Sequence, residues 1–364
     1  MRIAYLIHWN DGPESGVYKK IAAQIREWKR LGNEICLFLF THNREWEQFT
    51  AEQGISITVC RYDNWRSRFT EFRELVRLID RWQPDMIYHR FDLFYPSLDW
   101  ILSKYPSVLE INTNDLTEMK LQQGTLRYWY HRLTRGRVLK RSRGNVYVSK
   151  ELSEEEHYRK YAKSEVVIGN GIQLDQFPSL ASPVKDGIRC VFIGSPGQAW
   201  HGVDKIMQLA ELRPEWTFDL VGIHAKDIKG LNGKIPPNIV FHGRLNKEQY
   251  EPIMRKANIA IGSLAMHRAA LKEGSPLKVR EYLAYGIPVI LGYMDTDFPE
   301  GSPYLLNLDN EENNIVPAID RISDFVREWG DRRVEREAIS HLDSKYKEAK
   351  RISYMRLLAG NGEG

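Results

Sequence analysis

The chain has 364 residues, of which 42% are hydrophobic and 27% are charged, and its formal net charge is +4. This balance is that of a globular protein and excludes a disordered or collagen-like chain, and the length predicts two domains because a domain usually has about 100–200 residues. The three cysteines are widely spaced and form no C-x-x-C pair, which excludes a cysteine-based metal or redox motif and suits a reducing compartment.

The first half of the chain alternates between apolar runs and amphipathic stretches. Residues 2–9 form a short apolar run that ends in a turn and not in the small-residue cleavage site of a secretory signal, so we interpret them as a strand of a cytoplasmic protein. Apolar side chains at helical spacing predict a helix over residues 17–31. Further short apolar runs predict strands at 35–40, 55–62, 86–89, 108–111 and 145–148. Such runs alternating with helices predict a parallel sheet that is covered on both faces.

The alternation restarts in the second half of the chain. Strands are predicted at 188–193, 218–221, 239–241, 259–261 and 289–291, with helices at 203–212, 248–256 and 277–285. The tail from about residue 331 to 358 has a strongly helical composition. We predict an α/β fold of two facing doubly wound, Rossmann-like domains, residues 1–168 and 169–344, joined at a Gly-Asn-Gly segment that allows unusual backbone angles. Ligands bind such sheets at the carboxyl ends of the strands, which predicts a site in the interdomain cleft.

Residues 272–288 carry the most specific pattern. Ser275 is suited to the N-cap, Pro276 to the first helical position and Gly286 to the position after the C-cap. The start of this helix would present free N–H groups to a phosphate. Glu273 and Glu281 flank that start and could accept hydrogen bonds from sugar and ribose hydroxyls. The same capping signals also fit a surface helix with two solvated glutamates.

This segment resembles the Glu-x(7)-Glu motif of the retaining family-four glycosyltransferases (glycosyl transferases group 1), which have the GT-B fold. Glu273 and Glu281 have the spacing of the motif, and the Gly-Ile-Pro-Val-Ile that follows has the family's form. Further matches at 84–89, 167–177, 219–222 and 240–243 occur in the family's order. The resemblance implies an N-terminal acceptor domain, a C-terminal nucleotide-sugar domain, transfer with retention of configuration, and no metal or other cofactor. It also implies that a terminal helix, about residues 345–364, packs back on the N-terminal domain.

The resemblance also assigns roles to single residues. Glu281 would bind the ribose hydroxyls of the donor, and Glu273 would bind hydroxyls of the transferred sugar. The remaining positions would bind or lie near the diphosphate: Gly16, Gly194, Gly243, Arg244, Gly274, Ser275, Pro276 and Leu277.

The chain departs from the family at the phosphate clamp and at a histidine. Ser195 and His201 stand where the family often has Arg and Lys, so two positive charges are missing. We hypothesise that Lys278 supplies one charge and that His201 contributes a hydrogen-bond donor; alternatively, Lys278 points to solvent, or the chain has lost turnover. Asn112 replaces a histidine found in many relatives, and an amide cannot accept a proton at neutral pH. His89 is a further candidate for the same cleft.

The segment from Lys120 to Arg143 is basic and contains Tyr128, Trp129 and Tyr130. From Met119 to Lys150 there are nine Lys or Arg residues and no Asp or Glu. This composition suits peripheral contact with an anionic membrane, at its inner face, and a lipid-linked or other saccharide acceptor. It equally suits a solvated helix whose aromatic residues lie in the core. No nucleic-acid motif is present, so no nucleic-acid partner is expected.

Two other functions fit the same fold. A nucleotide-sugar 2-epimerase is the first, although the Glu-x(7)-Glu context argues against it. The second is a non-catalytic protein that binds a nucleotide or another glycosyltransferase, which the altered phosphate clamp favours.

Overall fold

The computed structural model describes residues 1–49, 54–122, 124–183, 187–228 and 235–360, with the side chains of residues 121 and 122 left out. The chain forms two compact units. The first unit consists of Met1–Gly171 and Ser344–Gly364, and the second unit is Ile172–Asp343. Each unit is an α/β structure built on a parallel sheet.

The sheet of the first unit has strands in the order β3-β2-β1-β4-β5-β6-β7, and all of its pairs are parallel. The strands are β1 (Arg2–His8), β2 (Glu34–Thr41), β3 (Ser56–Arg61), β4 (Met86–Arg90), β5 (Ser107–Ile111), β6 (Gly144–Tyr147) and β7 (Glu165–Val167). The chain order reverses between β1 and β4, so the loops that follow these two strands diverge at this point.

Helices cover both faces of this sheet. They are α1 (Gly16–Arg30), α2 (Trp65–Trp82), α3 (Pro96–Lys104), α4 (Asp115–Gln122), α5 (Thr125–Arg141), α6 (Lys150–Glu154) and α7 (Glu156–Arg159). Successive side chains of a strand point to opposite faces. Tyr5 and Ile7 therefore pack in one core with α1, whereas Ala4 and Leu6 pack in a second core with α2 and α3.

The second unit repeats the design. Its strands are β8 (Arg189–Ile193), β9 (Thr217–Val221), β10 (Ile239–Gly243), β11 (Ile259–Ile261), β12 (Glu273–Gly274), β13 (Val289–Leu291), β14 (Met294–Asp295) and β15 (Leu305–Asn307). The main sheet has the order β10-β9-β8-β11-β13-β15, and β12 pairs with β14 apart from it. The helices are α8 (Val203–Leu212), α9 (Lys247–Lys256), α10 (Leu277–Ala284) and α11 (Ile319–Trp329). Val191 packs towards α9 and α10, whereas Phe192 packs towards α8 and α11.

The chain order of this second sheet reverses between β8 and β11. Backbone hydrogen bonds join the loops that follow these two strands: the N–H of Leu264 donates to the oxygen of His201 at 3.1 Å, and the N–H of Ala265 donates to the oxygen of Trp200 at 3.2 Å. The residues of both loops therefore lie side by side at the carboxyl edge of the sheet, where open α/β sheets bind ligands.

The last helix, α12 (Ser344–Gly360), belongs to the first unit. Ile352, Met355 and Leu358 lie in the core that contains α1, and the indole N–H of Trp28 donates to Glu348 Oε2 at 2.8 Å.

The prediction of a helical tail from about residue 331 is wrong for its first part. The helix α11 ends at Trp329, and residues 337–342 form a 3₁₀ segment before α12 begins. Backbone groups after α11 form hydrogen bonds with residues outside the helix. The oxygen of Gly330 accepts from the side chain of Asn258, and the N–H of Val334 donates to the oxygen of Gly286.

Candidate functional site

The loop after β8 begins at Gly194, where no side chain fits. A Cβ atom on Gly194 would lie 2.5 Å from a ring carbon of Phe192 and 2.9 Å from Nδ1 of His201. Without that atom, the rings of Phe192 and His201 pack edge to face with their centroids 5.4 Å apart. Gly194 therefore allows Phe192, at the end of β8, to contact His201, in the turn before α8. Ser195 follows it and is exposed.

Lys278, in the first turn of α10, reaches the same place. Its Nζ lies 4.2 Å from the centroid of the Phe192 ring, is buried, and has no hydrogen-bond partner among the described residues. Loss of hydration lowers the pKa of Lys278 from 10.5 to about 7. The alternative that Lys278 points to solvent is therefore wrong.

His201 makes an edge-to-face contact with the same aromatic ring. Burial, together with the charge of Lys278, lowers the pKa of His201 to about 2, so the imidazole is neutral at physiological pH. Its Nδ1 is buried and, within the part of the chain that the structure describes, has no hydrogen-bond partner. Because buried polar atoms are nearly always paired, Lys278 Nζ is suited to an acceptor from a ligand, and His201 can add a second donor in the tautomer that carries its proton on Nδ1. An anion could satisfy both of them.

The start of α10 differs by one residue from the prediction. Pro276 is the N-cap and carries no capping side chain, so the assignment of Ser275 as the N-cap is wrong. The hydroxyl of Ser275 instead accepts from Nη2 of Arg280 at 2.7 Å. Arg280 is fully buried and needs several acceptors, and it also donates to Asp295 and Asp297 at 2.7 Å each. The first N–H groups of α10, beginning at Leu277, have no acceptor within the helix and remain suited to a phosphate.

Glu273 and Gly274 form β12, which pairs with β14. This pairing is extended by two backbone hydrogen bonds, because Met294 donates to Lys272 and Thr296 donates to Gly274, both at 3.0 Å. The segment that leads from Glu273 into α10 is therefore held in place by β14. Glu273 itself is half-buried.

Glu281 lies one turn further along α10 and is also half-buried. Its Oε1 accepts a hydrogen bond of 2.5 Å from the hydroxyl of Tyr250 on α9. The next residue, Tyr282, accepts from the backbone N–H of Ile193 at 2.6 Å and thereby fixes α10 to the end of β8. Sequence reasoning missed Tyr250 and Phe192, because neither stands in a motif and each is far along the chain from its partner.

Gly243 ends β10, the edge strand of the sheet, and Arg244 follows it. Gly243 has φ +63°, and a Cβ atom there would lie 2.2 Å from the ring of His224. Arg244 is exposed. Because β9 lies between β10 and β8, these two residues are at the margin of the arrangement around Phe192.

In the first unit, Gly16 and Asn112 stand at the carboxyl edge of the sheet. Gly16 opens α1 after the N-cap Ser15, whose hydroxyl accepts from the N–H of Tyr18 at 3.3 Å. Asn112 follows β5 and its Oδ1 accepts from Nζ of Lys20 at 3.3 Å, while the same nitrogen donates to Glu110 at 2.9 Å. Burial lowers the pKa of Lys20 to about 8.

His89 is placed differently from what the sequence suggested. The side chain is 1% exposed, and its Nε2 lies 3.4 Å from the hydroxyl of Ser142. Burial lowers the pKa of His89 to about 4, which leaves it neutral. It occupies the interior of the first unit, because a side chain in the middle of a sheet covered by α5 faces a helix and not a ligand. This corrects its assignment as a catalytic residue.

A buried carboxylate behind Asn112 was missed by the sequence analysis. Asp115, at the start of α4, accepts from His131 at 2.5 Å, from Arg135 at 2.6 and 2.8 Å, and from Tyr158 at 2.6 Å. These cationic and hydrogen-bonding partners hold the pKa of Asp115 well below its usual range, against the opposing effect of burial. The cluster ties α4, α5 and α7 to the turn that carries Asn112. Its members are too far apart in the sequence to form a recognisable pattern.

The basic segment 120–143 covers the end of α4 and all of α5, but residue 123 and the side chains of 121 and 122 lie outside the described residues. Leu126, Trp129 and Leu133 are 86%, 51% and 79% exposed, and their spacing places them on one face of α5. Tyr130 is half-buried and donates to the oxygen of Phe94 at 2.7 Å. The alternative that the aromatic residues lie in the core therefore holds for Tyr130 and not for Trp129.

Among the described residues, no helix is long and apolar enough to cross a membrane. No group of three or more His, Cys, Asp or Glu side chains in this part of the chain could hold a metal ion. Transfer without a metal cofactor stays a prediction.

The two units correspond to two known sequence families. Residues 15–176 match the model described as Glycosyltransferase Family 4, and residues 177–326 match the model described as Glycosyl transferases group 1. Among curated protein sequences there is no match.

Solved structures with the same fold include three with high coverage. Sucrose-phosphate synthase from Thermosynechococcus elongatus has a TM-score of 0.72 at 15% identity, with 100% of both chains covered. A glycosyltransferase from Rickettsia africae has a TM-score of 0.68 at 14% identity, covering 99% of this chain and 100% of that one. Anabaena HepE in complex with UDP and glucose has a TM-score of 0.65 at 14% identity, covering 98% and 99%. At such identities the similarity concerns the fold, and it confirms the prediction of two Rossmann-like domains of the GT-B type.

Proposed function

The chain belongs to the family-four glycosyltransferases of the GT-B fold, and we propose that its second unit binds a nucleotide diphosphate-sugar at the edge between β8 and β11. The sugar would pass to a saccharide or lipid-linked acceptor with retention of configuration. The observation that supports this most is the pair of buried nitrogens, Lys278 Nζ and His201 Nδ1, which have no partner among the described residues and lie around Phe192 beside the start of α10.

A diphosphate would satisfy this arrangement. Its oxygens would accept from Lys278, from His201 and from the first N–H groups of α10, and its negative charge would return the ammonium group to its charged form. Lys278 then replaces the cation that is missing at Ser195. Glu281 would accept from the ribose hydroxyls, and Glu273 would accept from hydroxyls of the transferred sugar.

The proposed reaction needs no nucleophile from the protein. The bond between the anomeric carbon and the diphosphate oxygen breaks, the acceptor oxygen bonds to that carbon on the same face, and the acceptor proton passes to the leaving diphosphate. Asn112 could position a hydroxyl but could not take this proton. Lys278 and the start of α10 would stabilise the charge that develops on the leaving group, which is where electrostatic catalysis acts. No step uses a metal.

Binding of nucleotides to the second unit tests the donor site directly. UDP is the first probe because HepE was solved with UDP and glucose, and GDP, ADP and TDP complete the set. One of them should raise the melting temperature of the wild type, since a ligand at a hundredfold excess over its Kd adds about 2.7 kcal/mol. The Glu281→Ala variant should lose this increase. If no nucleotide produces a shift, the donor site is wrong.

Release of nucleotide diphosphate separates an enzyme from a binding protein. A glycosyltransferase incubated with the corresponding nucleotide-sugar should release the diphosphate slowly to water and faster with an acceptor. Binding without any release would favour the non-catalytic alternative, in which the altered clamp has cost the chain its turnover.

The exposed face of α5 has the character of a membrane-binding surface, which bears on where the acceptor is found. Leu126, Trp129 and Leu133 form an apolar strip on a helix rich in arginine, and this combination matches an anionic lipid surface. We infer contact with the inner face of a membrane, from a cytoplasmic protein, with a lipid-linked acceptor.

Sedimentation with phosphatidylglycerol vesicles would test this contact. The double variant Trp129→Ser/Leu133→Ser should bind at least about tenfold more weakly than the wild type, because each apolar side chain contributes about 1.5–3 kcal/mol when buried. Leu212→Ser, at an exposed leucine of the second unit, is the matched control. Equal binding of the wild type to vesicles of neutral phosphatidylcholine would contradict the electrostatic part, and no binding to either would contradict the whole proposal.

A further inference from the structure

Tyr250 makes a single directed contact to a group of the donor site. It stands in the first turn of α9, which begins at the N-cap Asn246 with a capping box formed with Gln249. Its hydroxyl reaches across to α10 and donates to Oε1 of Glu281 at 2.5 Å. The capping box fixes where α9 starts, and this start fixes where the tyrosine points.

This hydrogen bond limits the rotation of the Glu281 side chain. A glutamate on a helix surface has three rotatable bonds, and a carboxylate that recognises two neighbouring hydroxyls must be held in one orientation to bind both. The backbone beneath Glu281 is already fixed, because Tyr282 accepts from the N–H of Ile193. Tyr250 restricts the rotation of the Glu281 side chain by a hydrogen bond from a second helix.

We propose that Tyr250 is a positioning residue for ribose recognition: its hydroxyl holds the Glu281 carboxylate in the orientation that binds the two ribose hydroxyls of the donor. This inference rests on the proposed donor site. Burial and the adjacent carboxylate both raise the pKa of Tyr250, so the phenol stays protonated and remains a donor across the physiological range. Since the tyrosine lies in a different helix from the glutamate, α9 takes part in nucleotide recognition through this bond.

The consequence is measurable as a preference between sugars. A carboxylate held in place gains from both ribose hydroxyls, whereas a carboxylate free to rotate gains little more from two hydroxyls than from one. Tyr250 should therefore increase the ratio of affinities for a nucleoside diphosphate and its 2′-deoxy counterpart. Loss of a structural tyrosine would weaken both ligands equally and would leave the ratio unchanged.

The experiment is a double-mutant cycle with Tyr250→Phe and the pair UDP and 2′-deoxy-UDP, or the GDP or ADP pair if thermal shifts select one of those bases. Hydrogen bonds to charged groups support an expected loss of about tenfold in affinity for the ribonucleotide. The 2′-deoxy nucleotide should lose less than about threefold, so that the ratio falls markedly. Tyr293→Phe is the matched control, because Tyr293 is buried in the same core and its hydroxyl has no partner among the described residues.

The outcomes are distinct. A wild type that binds none of these nucleotides overturns the donor site and this inference together. If the wild type, Tyr250→Phe and Tyr293→Phe all prefer the ribonucleotide to the same degree, the role of Tyr250 is wrong and the donor site still stands. A preference that is lost in Tyr250→Phe and kept in Tyr293→Phe supports it.

Discussion

The buried ammonium group of Lys278 makes a quantitative prediction about donor binding. Without a ligand, its pKa is about 7. A bound diphosphate should return this pKa towards the ordinary value of 10.5, so the lysine binds a proton together with the nucleotide whenever the pH is above 7. Affinity should therefore fall as the pH rises, although the diphosphate itself keeps its full charge, because phosphate monoesters lose their second proton near pH 6.

The size of the effect follows from one-proton linkage. At pH 7 about half of the free protein already carries the proton, and at pH 9 only about one molecule in a hundred does. The affinity for UDP should thus fall by about fiftyfold between these two values, or about 2 kcal/mol. Lys278→Met should bind weakly and with the same affinity at both pH values.

Isothermal titration calorimetry between pH 6.5 and 9.5 would measure this dependence, and buffers of different ionisation enthalpy would report the proton that is taken up. Lys272→Met, at an exposed lysine of the same loop, should keep the pH dependence of the wild type. An unchanged affinity of the wild type from pH 7 to 9, without proton uptake, would refute the reasoning.

Lys278→Met should be more stable than the wild type when no nucleotide is present. At pH 7 the unfolded chain holds the Lys278 proton more tightly than the folded protein does, and Lys278→Met removes this cost. We expect its free energy of unfolding to be about 4 kcal/mol higher at pH 7, since the pKa of Lys278 is about 7 in the folded protein and 10.5 ordinarily. The difference should shrink as the pH approaches 10.5, where the lysine is neutral in both states; urea denaturation at several pH values would measure it.

Two further predictions concern the first unit. His89→Gln should keep donor hydrolysis and transfer, since His89 is buried. The wild type should lose up to about 3 kcal/mol of folding stability between pH 6.5 and 4, because His89 binds a proton in the unfolded chain at a higher pH than in the folded protein. If His89→Gln shows the same loss, another group causes it. Asp115→Asn should lower the free energy of unfolding by about 3–5 kcal/mol at pH 7, because Arg135 loses its buried counter-charge. The difference should begin to shrink as the pH falls below the ordinary carboxyl value of 3.8 and should disappear only below the much lower pKa of Asp115 in the folded protein. Calorimetry that finds equal stability at pH 7 would contradict the central place of Asp115.

The fold could be predicted from local pattern because most strands are continuous apolar runs. The strands β11 and β13 were predicted with the bounds that the structure shows, since each is apolar throughout and is followed by a turn or a helix. The strands β7 and β15 were missed: each has three residues, lies at an edge of its sheet and includes a polar residue. An edge strand needs less apolar surface than a central one, so its sequence carries less signal.

The candidate site was predicted in part, and the rest depends on contacts between distant residues. Capping signals predicted an anion site at the start of α10, but they wrongly assigned Ser275 as the N-cap. The hydroxyl of Ser275 accepts a hydrogen bond from the buried Arg280 instead, and the local sequence does not show this contact. The burial of Lys278 depends on Phe192, and the orientation of Glu281 depends on Tyr250. Neither partner could be identified from spacing, since the fold alone brings them together.

The return of α12 to the first unit sets an order of events during synthesis. The ribosome makes Trp28 early, but its partner Glu348 emerges only after all of the second unit. Until then, the face of α1 that Ile352 and Met355 later cover remains exposed. The second unit is contiguous in sequence and can complete its core first, so the domain that is translated first is the last to finish folding. A nascent chain stalled before residue 344 would therefore present an uncovered apolar face, which is the kind of surface that chaperones bind.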